Sequence, residues 1–353
     1  MFESLGFENW TAPQVVVLFA LALGIAFGAF AERSAFCFRR ALVGEDRRAA
    51  LGVWLTALAI ALLGTQAAVA LDWITFADHR LMNSDLPILA ILVGGLLFGI
   101  GMVLARGCAS RLTVLSGTGN LRALLVMLVF ALTAHATLKG VLAPLRTSLG
   151  AFTLPLENTA LPGNALLWTA LIAVAALTFA LRSGNGRKPL ALAALIGALV
   201  PLGWVGTGLV LYDDFDPIAM ESLSFTAPAA DTLFFTIAST AISASFGTGL
   251  IGGVLLGSFA AALLFGSFKW QSFDSPAQTG RYLLGGALMG LGGVLAGGCT
   301  VGAGLSGLPT LSIAALLAVL AMATGALATH RLLNARATVS GAPSATPQTQ
   351  PAE

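Results

Sequence analysis

Charge is scarce in this chain. Only 10% of its 353 residues are Asp, Glu, Lys or Arg, against roughly a quarter in an ordinary soluble domain. With 57% hydrophobic residues and a mean hydropathy of +0.89, that deficit excludes a water-soluble globular class. A net charge of +2 is too close to neutral to argue for nucleic-acid binding. Cysteine is equally sparse. Cys37, Cys108 and Cys299 are odd in number and scattered, so they form no disulfide framework, and no CxxC or Cys/His spacing suggests a metal site. The three histidines, His79, His135 and His330, include no ligand-spaced pair; His135, inside an apolar run, reads as a hydrogen-bonded packing residue. No Walker A loop is present, which argues against ATP-driven work by this chain alone, and no cofactor is expected. The start, MFESLGFENW, lacks a basic n-region, so the first helix is expected to be retained.

What the chain does have is long apolar runs, each about 17–25 residues and long enough to span a bilayer. They fall near 13–31, 50–71, 87–105, 121–139, 163–181, 189–211, 249–267, 282–298 and 311–329. A shorter stretch, 231–245, is broken by SFGTG (245–249) and reads as re-entrant or interfacial. The positive-inside rule orients the nine crossings. Arg39, Arg40, Arg47 and Arg48, then Arg182, Arg187 and Lys188, then Arg331 and Arg336 alternate with acidic or nearly uncharged loops. That pattern places the N-terminus outside and the C-terminus in the cytoplasm. Residues 1–336 read as one transmembrane domain with halves at about 13–181 and 189–335. The segment 337–353, rich in Pro, Ser, Thr and Gln, reads as a disordered tail.

An internal repeat is visible. GGLLFGIGMVLARGC (94–108) aligns without gaps on GGALMGLGGVLAGGC (285–299), sharing glycines at 94/285, 95/286, 99/290 and 101/292 and the final Gly-Cys. In the topology above the two copies run in opposite directions, an inverted-repeat plan that recurs in transporters with the substrate site between the copies. A weaker likeness, GIAFGAFAE (24–32) to GVLLGSFAA (253–261), comes out parallel and reads as convergent glycine packing.

Three stretches carry the polar chemistry: AERSAFCFRRAL (31–42), ARGCASRLTVLSGTGN (105–120) and AGGCTVGAGLSGLPT (296–310). In the last two an apolar helix ends in Gly-Cys, followed by small and hydroxylated residues and a glycine-rich break. Irregular backbone at membrane depth survives only where it is buried in protein or lines a cavity, and broken helices aim free N–H groups at anions. The break glycines are Gly107, Gly117, Gly298, Gly302 and Gly304, and Ser110 and Thr300 are the hydroxyls nearest the cysteines. Arg106 and Arg111 flank Cys108 and would lower the barrier for an anion. Arg122 reads equally well as ordinary cytoplasmic flanking. Glu32 and Arg33, at the end of the first helix, could pair with each other.

Taken together, SAFCFRRA (34–41), GxxxARGCASR (101–111), GGVLAGGCTVGAGLSG (292–307) and SFTAP (224–228) resemble the YeeE/YedE family of sulfur-compound transporters, over about residues 13–335. The resemblance implies an all-α polytopic membrane protein of the bacterial inner membrane, with about nine transmembrane helices plus short broken ones. They would form two inverted repeats around an hourglass-like central path. It implies that Cys37, Cys108 and Cys299 relay thiosulfate by weak S–H···S hydrogen bonds. It also implies a small soluble sulfur-carrier protein at the cytoplasmic face, with membrane lipid around the rest. Three alternatives stand beside this reading: another sulfur or selenium species as substrate, a membrane sulfurtransferase working through a cysteine persulfide, and a non-transporting scaffold whose cysteines only pack.

Overall fold

The computed structural model describes residues 10–273 and 275–339. Every apolar run becomes one helix, and short helices fill the breaks between them. In chain order these are α1 (Ala12–Ser34), α2 (Phe38–Val43), α3 (Arg47–Ala70), α4 (Ile88–Leu104), α5 (Ala109–Gly117), α6 (Leu121–Lys139), α7 (Ala143–Gly150), α8 (Ala165–Leu181), α9 (Arg187–Val205), α10 (Thr226–Ala238), α11 (Phe246–Leu264), α12 (Pro276–Leu295) and α13 (Ile313–Val339). Residues Gly206–Val210 and Thr300–Gly307 wind as π-helical turns. The sole sheet among the described residues pairs β1 (Asp85–Leu86) with β2 (Leu154–Pro155).

Seven described helices are long and apolar enough to cross a membrane, and α12 makes an eighth with its bent continuation through Thr310. The remaining run, α8, has 17 residues, about 26 Å of helix. Its pattern is inside-out relative to a soluble helix. Ala173, Ala176 and Ala180 are buried, while Leu166, Leu167 and Leu171 are exposed, as expected where lipid is the solvent and small residues bring helices together. Helix starts follow side-chain chemistry: Asn120, Asn164, Ser245 and Ser275 each cap the helix that follows by accepting from its first-turn amides. Ser245 starts α11 inside the stretch that sequence alone reads as a break. The C-terminal helix runs through Val339, so 337–339 are helical rather than part of a disordered tail; 340–353 lie outside the described residues.

The glycines record how the helices run. A Cβ on Gly94 would meet Gly292 and Ala296, and one on Gly101 would meet Gly285 and Met289, so α4 and α12 cross antiparallel. Gly95 and Gly99 instead pack along α13 in parallel register, and their repeat mates Gly286 and Gly290 pack along α6 the same way. Each repeat helix thus packs on its mate and on the mate's following helix, as an inverted pair must. The α1 and α11 pair is parallel, with Gly24 seated on Gly253 and Gly257 on Ile25; this accounts for the weaker likeness as packing. Taken in sequence, the directions leave an even number of crossings between α9 and α11, so α10 does not cross on its own.

Basic loops collect at one end. Arg48 donates to the Arg182 carbonyl at 2.8 Å, Asn185 donates to the Ala49 carbonyl at 2.8 Å, and Arg40 pairs with Asp46. His135 departs from expectation. Its ring stacks on Phe234 with centroids 4.7 Å apart, but its Nδ1 has no hydrogen-bond partner. It packs by its face.

Candidate functional site

The same turn precedes each cysteine. After α1, α4 and α12 a residue adopts left-handed backbone: Ala35 at φ 49°, Arg106 at φ 56° and Gly297 at φ 74°. The following amide reaches back five residues, Phe36 to Ala31 at 3.2 Å, Gly107 to Met102 at 3.1 Å and Gly298 to Gly293 at 2.9 Å. That wrap satisfies the helix's open carbonyls. The next residue is in every case cysteine, in extended backbone, at the cap position of a new helical segment: Cys37 before α2, Cys108 before α5, Cys299 before Thr300–Gly307. The Cys299 sulfur accepts from the Gly302 amide at 3.3 Å. The corresponding amides of Arg40 and Arg111 stand beside the other two sulfurs without closing a cap. The first turn lies outside the sequence repeat, and only the structure shows it to be the same device.

All three thiols are free and buried, Cys37 at 8% exposure, Cys108 at 1% and Cys299 at 0%. Cys37 and Cys108 are neighbours. Cys108 also meets Ser110 Oγ at 3.4 Å and faces the Thr300 hydroxyl, which is buried with no closed hydrogen bond. Cys299, in electrostatic reach of Cys108, also faces the backbone of Phe225 in SFTAP. The order is therefore Cys37, Cys108, Thr300, Cys299. Phe27 braces both ends of this line, edge-on to Phe36 at 6.2 Å and tilted against Phe225 at 5.3 Å.

Of the predicted flanking residues, Arg111 belongs to the line. Its guanidinium donates to the Ala31 carbonyl at 3.3 Å and sits in the field of Cys37, Cys108 and Glu32. Arg106 does not: its side chain is exposed. Glu32 and Arg33 do not pair. Glu32 accepts from Ser267 at 2.7 Å, and Arg33 lies over the Phe265 ring at 4.2 Å, because adjacent residues of one helix do not face each other. Gly302 leaves room for the Ser224 hydroxyl, Gly117 seats α5 against Ser258 of α11, Gly304 lies against Trp54, and Gly107 and Gly298 lie against the first turns they precede. Among the described residues, no three His, Cys, Asp or Glu side chains gather as a metal site.

On the Cys299 side a cavity of about 920 Å³ opens, floored by Gly302 and Ser306 and walled by His79, Arg80, Trp204, Glu221 and Ser224. Burial, and then the Arg80 charge, push the His79 pKa down to about 4. Its folded value is thus below its unfolded value of about 6.5. The neutral ring contributes stability that is complete above about pH 6.5 and is lost as pH falls toward 4. Thermal unfolding of the wild type should fall over that window, and His79→Gln should flatten the curve; an unchanged slope in the variant overturns the assignment.

With this geometry in place, comparison with known proteins is decisive at the family level. The model of the family described as "Sulphur transport" matches residues 33–328. The chain belongs to that family. Two relatives are named thiosulfate transporter TsuA. One, from Spirochaeta thermophila, is 28% identical over 326 residues, covering 84% of this chain and 93% of the relative. The other, from Escherichia coli, is 25% identical over 322 residues, covering 82% and 87%. This member of the sulphur-transport family is a multi-pass membrane protein.

Sequence reasoning missed Arg80, Trp204 and Glu221, which stand in loops or at a helix end with no motif around them. Their signal was faint: DHR (78–80) puts a cation in a loop on the otherwise acidic side.

Proposed function

We propose that this protein takes up thiosulfate across the bacterial inner membrane, its N-terminus outside and its C-terminus in the cytoplasm. The chain acts as a single transporter domain of two inverted halves, with a path narrowed at the thiols. The observation that carries this reading is the file of three buried cysteines, each on the same backbone turn. The named substrate of the two relatives and the basic loops gathered at one end support it. A thiol is a weak donor, and conduction needs sites that bind weakly and in series. Cys299, Cys108 and Cys37 then hand on a soft divalent anion by S–H···S hydrogen bonds, with Thr300 and Ser110 as intermediate hydroxyls. Arg111 lends a favourable field from beside the last two thiols. A small soluble sulfur-carrier protein collects the anion at the cytoplasmic face.

The test is uptake of labelled thiosulfate into cells or vesicles, with sulfate, sulfite and selenite as competitors. Saturable uptake blocked by none of the three is expected. Efficient competition by selenite instead points to a broader soft-anion substrate. Labelled sulfane sulfur retained on denatured protein would replace the non-covalent relay with a persulfide.

Arg106 gives a separate expectation. A non-glycine residue at left-handed φ costs about 1–2 kcal/mol, and the second copy has glycine there. Arg106→Gly should raise the unfolding temperature while slowing uptake at low ionic strength by a few-fold through loss of attraction. Abolished uptake with intact fold would place Arg106 in the path itself.

A further inference from the structure

Arginines gather at the opposite end of the file of thiols, next to Cys37. Three of them come from three different elements. Arg39 follows Cys37 by two residues in α2, Arg106 holds the left-handed position before Cys108, and Arg281 stands in the second turn of α12. The antiparallel crossing of α4 on α12 brings them together. A Cβ on Gly285, one turn beyond Arg281, would lie 2.7 Å from the Ala105 amide. Arg39 stands in the field of Arg106, Arg281, Tyr282 and Cys37. His330, in the last helix, lies in turn in the field of Arg39 and Arg47. This is the end of the molecule where the basic loops collect.

None of the three arginines forms an ion pair with a described carboxylate. Asp46 is taken by Arg40, and Glu32 accepts from Ser267. The Nε–H groups of Arg39 and Arg281 are shut off from solvent, yet neither has a hydrogen-bond partner. A buried donor left without an acceptor is costly, and like charges this close repel one another. Arg281 has an aromatic neighbour, the Tyr282 ring at 5.9 Å, which accepts no N–H bond in its plane. Arg106 is exposed, so the group is open at that end. Its φ of 56° holds the charge there against a backbone preference for glycine, which the second copy satisfies with Gly297. An anion with several acceptor oxygens would satisfy both buried donors and offset the repulsion at once.

We propose that Arg39, Arg106 and Arg281 form a binding site for a tetrahedral divalent oxyanion of the sulfate class on the cytoplasmic side of Cys37, and that sulfate filling it from the cytoplasm slows uptake. The inhibition rests on the uptake reading; the binding does not. Right-side-out membrane vesicles loaded with sulfate should take up labelled thiosulfate more slowly than vesicles loaded with chloride at equal ionic strength. Arg281→Gln and Arg39→Gln should each raise the internal sulfate concentration for half-inhibition at least about tenfold, as loss of a charge-assisted bond does. Arg281→Lys should fall between, because it keeps the charge without the planar fork. Arg187→Gln, an exposed arginine at the start of α9, should leave the half-inhibiting concentration unchanged.

A second readout, binding of labelled sulfate to the purified full chain, separates the possible failures. It should weaken about tenfold in Arg281→Gln. Unchanged half-inhibition and unchanged binding in Arg281→Gln, with protein at wild-type level, overturn the site. An equal loss of inhibition in Arg187→Gln also overturns it, since general surface potential then suffices. Arg281-dependent sulfate binding by a protein that takes up no thiosulfate keeps the site and overturns the thiosulfate reading. Sulfate binding that disappears when phosphatidylglycerol is added to the detergent assigns the arginines to a lipid headgroup and overturns the soluble anion. If Arg39→Gln fails to fold, Arg281→Gln and Arg106→Gln decide, and wild-type half-inhibition in both overturns the proposal.

Discussion

Cys108→Ala cuts thiosulfate uptake about 100-fold while leaving the protein folded; that is the largest effect expected of any single side chain here. Cys108 is the middle of the file, with Cys37 on one side and Thr300 leading to Cys299 on the other. Removing one preorganised donor from a dry site costs on the order of 100-fold in rate. The thiol is small and its turn is made by backbone, so alanine removes the donor without disturbing the wrap from Gly107 to Met102. Growth on thiosulfate as the only sulfur source, in cells lacking other uptake routes, reads the effect directly. Cys37→Ala and Cys299→Ala should follow, with Cys37, the most exposed of the three, the mildest. Cys108→Ser is the discriminating variant. A hydroxyl of similar size keeps a donor but loses the soft sulfur, so partial uptake argues for hydrogen-bond relay and none argues that sulfur itself is required. Normal growth of all three alanine variants sinks the relay.

The second large effect is on folding. Gly292→Leu should remove properly folded protein from the membrane altogether. Gly292 sits where α4 and α12 cross, and any Cβ there meets the Gly94 carbonyl and the Phe98 amide, both backbone. Backbone cannot rotate away as a side chain can. Overpacking of even ordinary core sites costs about 1–3 kcal/mol, and this crossing joins the two inverted copies. The control is Gly150→Leu, at a helix end where a Cβ meets nothing within 4 Å; it should be neutral. Yield of monodisperse protein in detergent and its unfolding temperature measure both. A Gly292→Leu protein as stable as wild type would mean that the crossing adjusts freely.

Much of this architecture was legible in the residues. The apolar runs gave the helices because nothing but a helix satisfies its own backbone in lipid, and the shared glycines of 94–108 and 285–299 gave the inversion because they are the contact points themselves. The cysteines were legible through repetition. The geometry between them was not, because adjacency of Cys37 to Cys108 depends on α1 packing against α11 and α5, a long-range arrangement without local signal. Arg106 and Arg111 looked alike in ARGCASR, yet one faces out and one faces the thiols. Five residues apart across a left-handed turn, they belong to different directions of the chain. The end of the last helix was misjudged for the opposite reason. Composition after Ala337 reads as a tail, but helix propagation carries the last turn on to Val339.

The turn before each cysteine bears on how such a protein ages. Each sulfur is aimed by main-chain hydrogen bonds and one left-handed residue, and alanine, arginine and glycine all serve at that residue here. The position of the thiols is therefore set by the main chain and not by one particular side chain at that residue. A side-chain change beside such a turn leaves the sulfur aimed for as long as the wrap of the main chain survives.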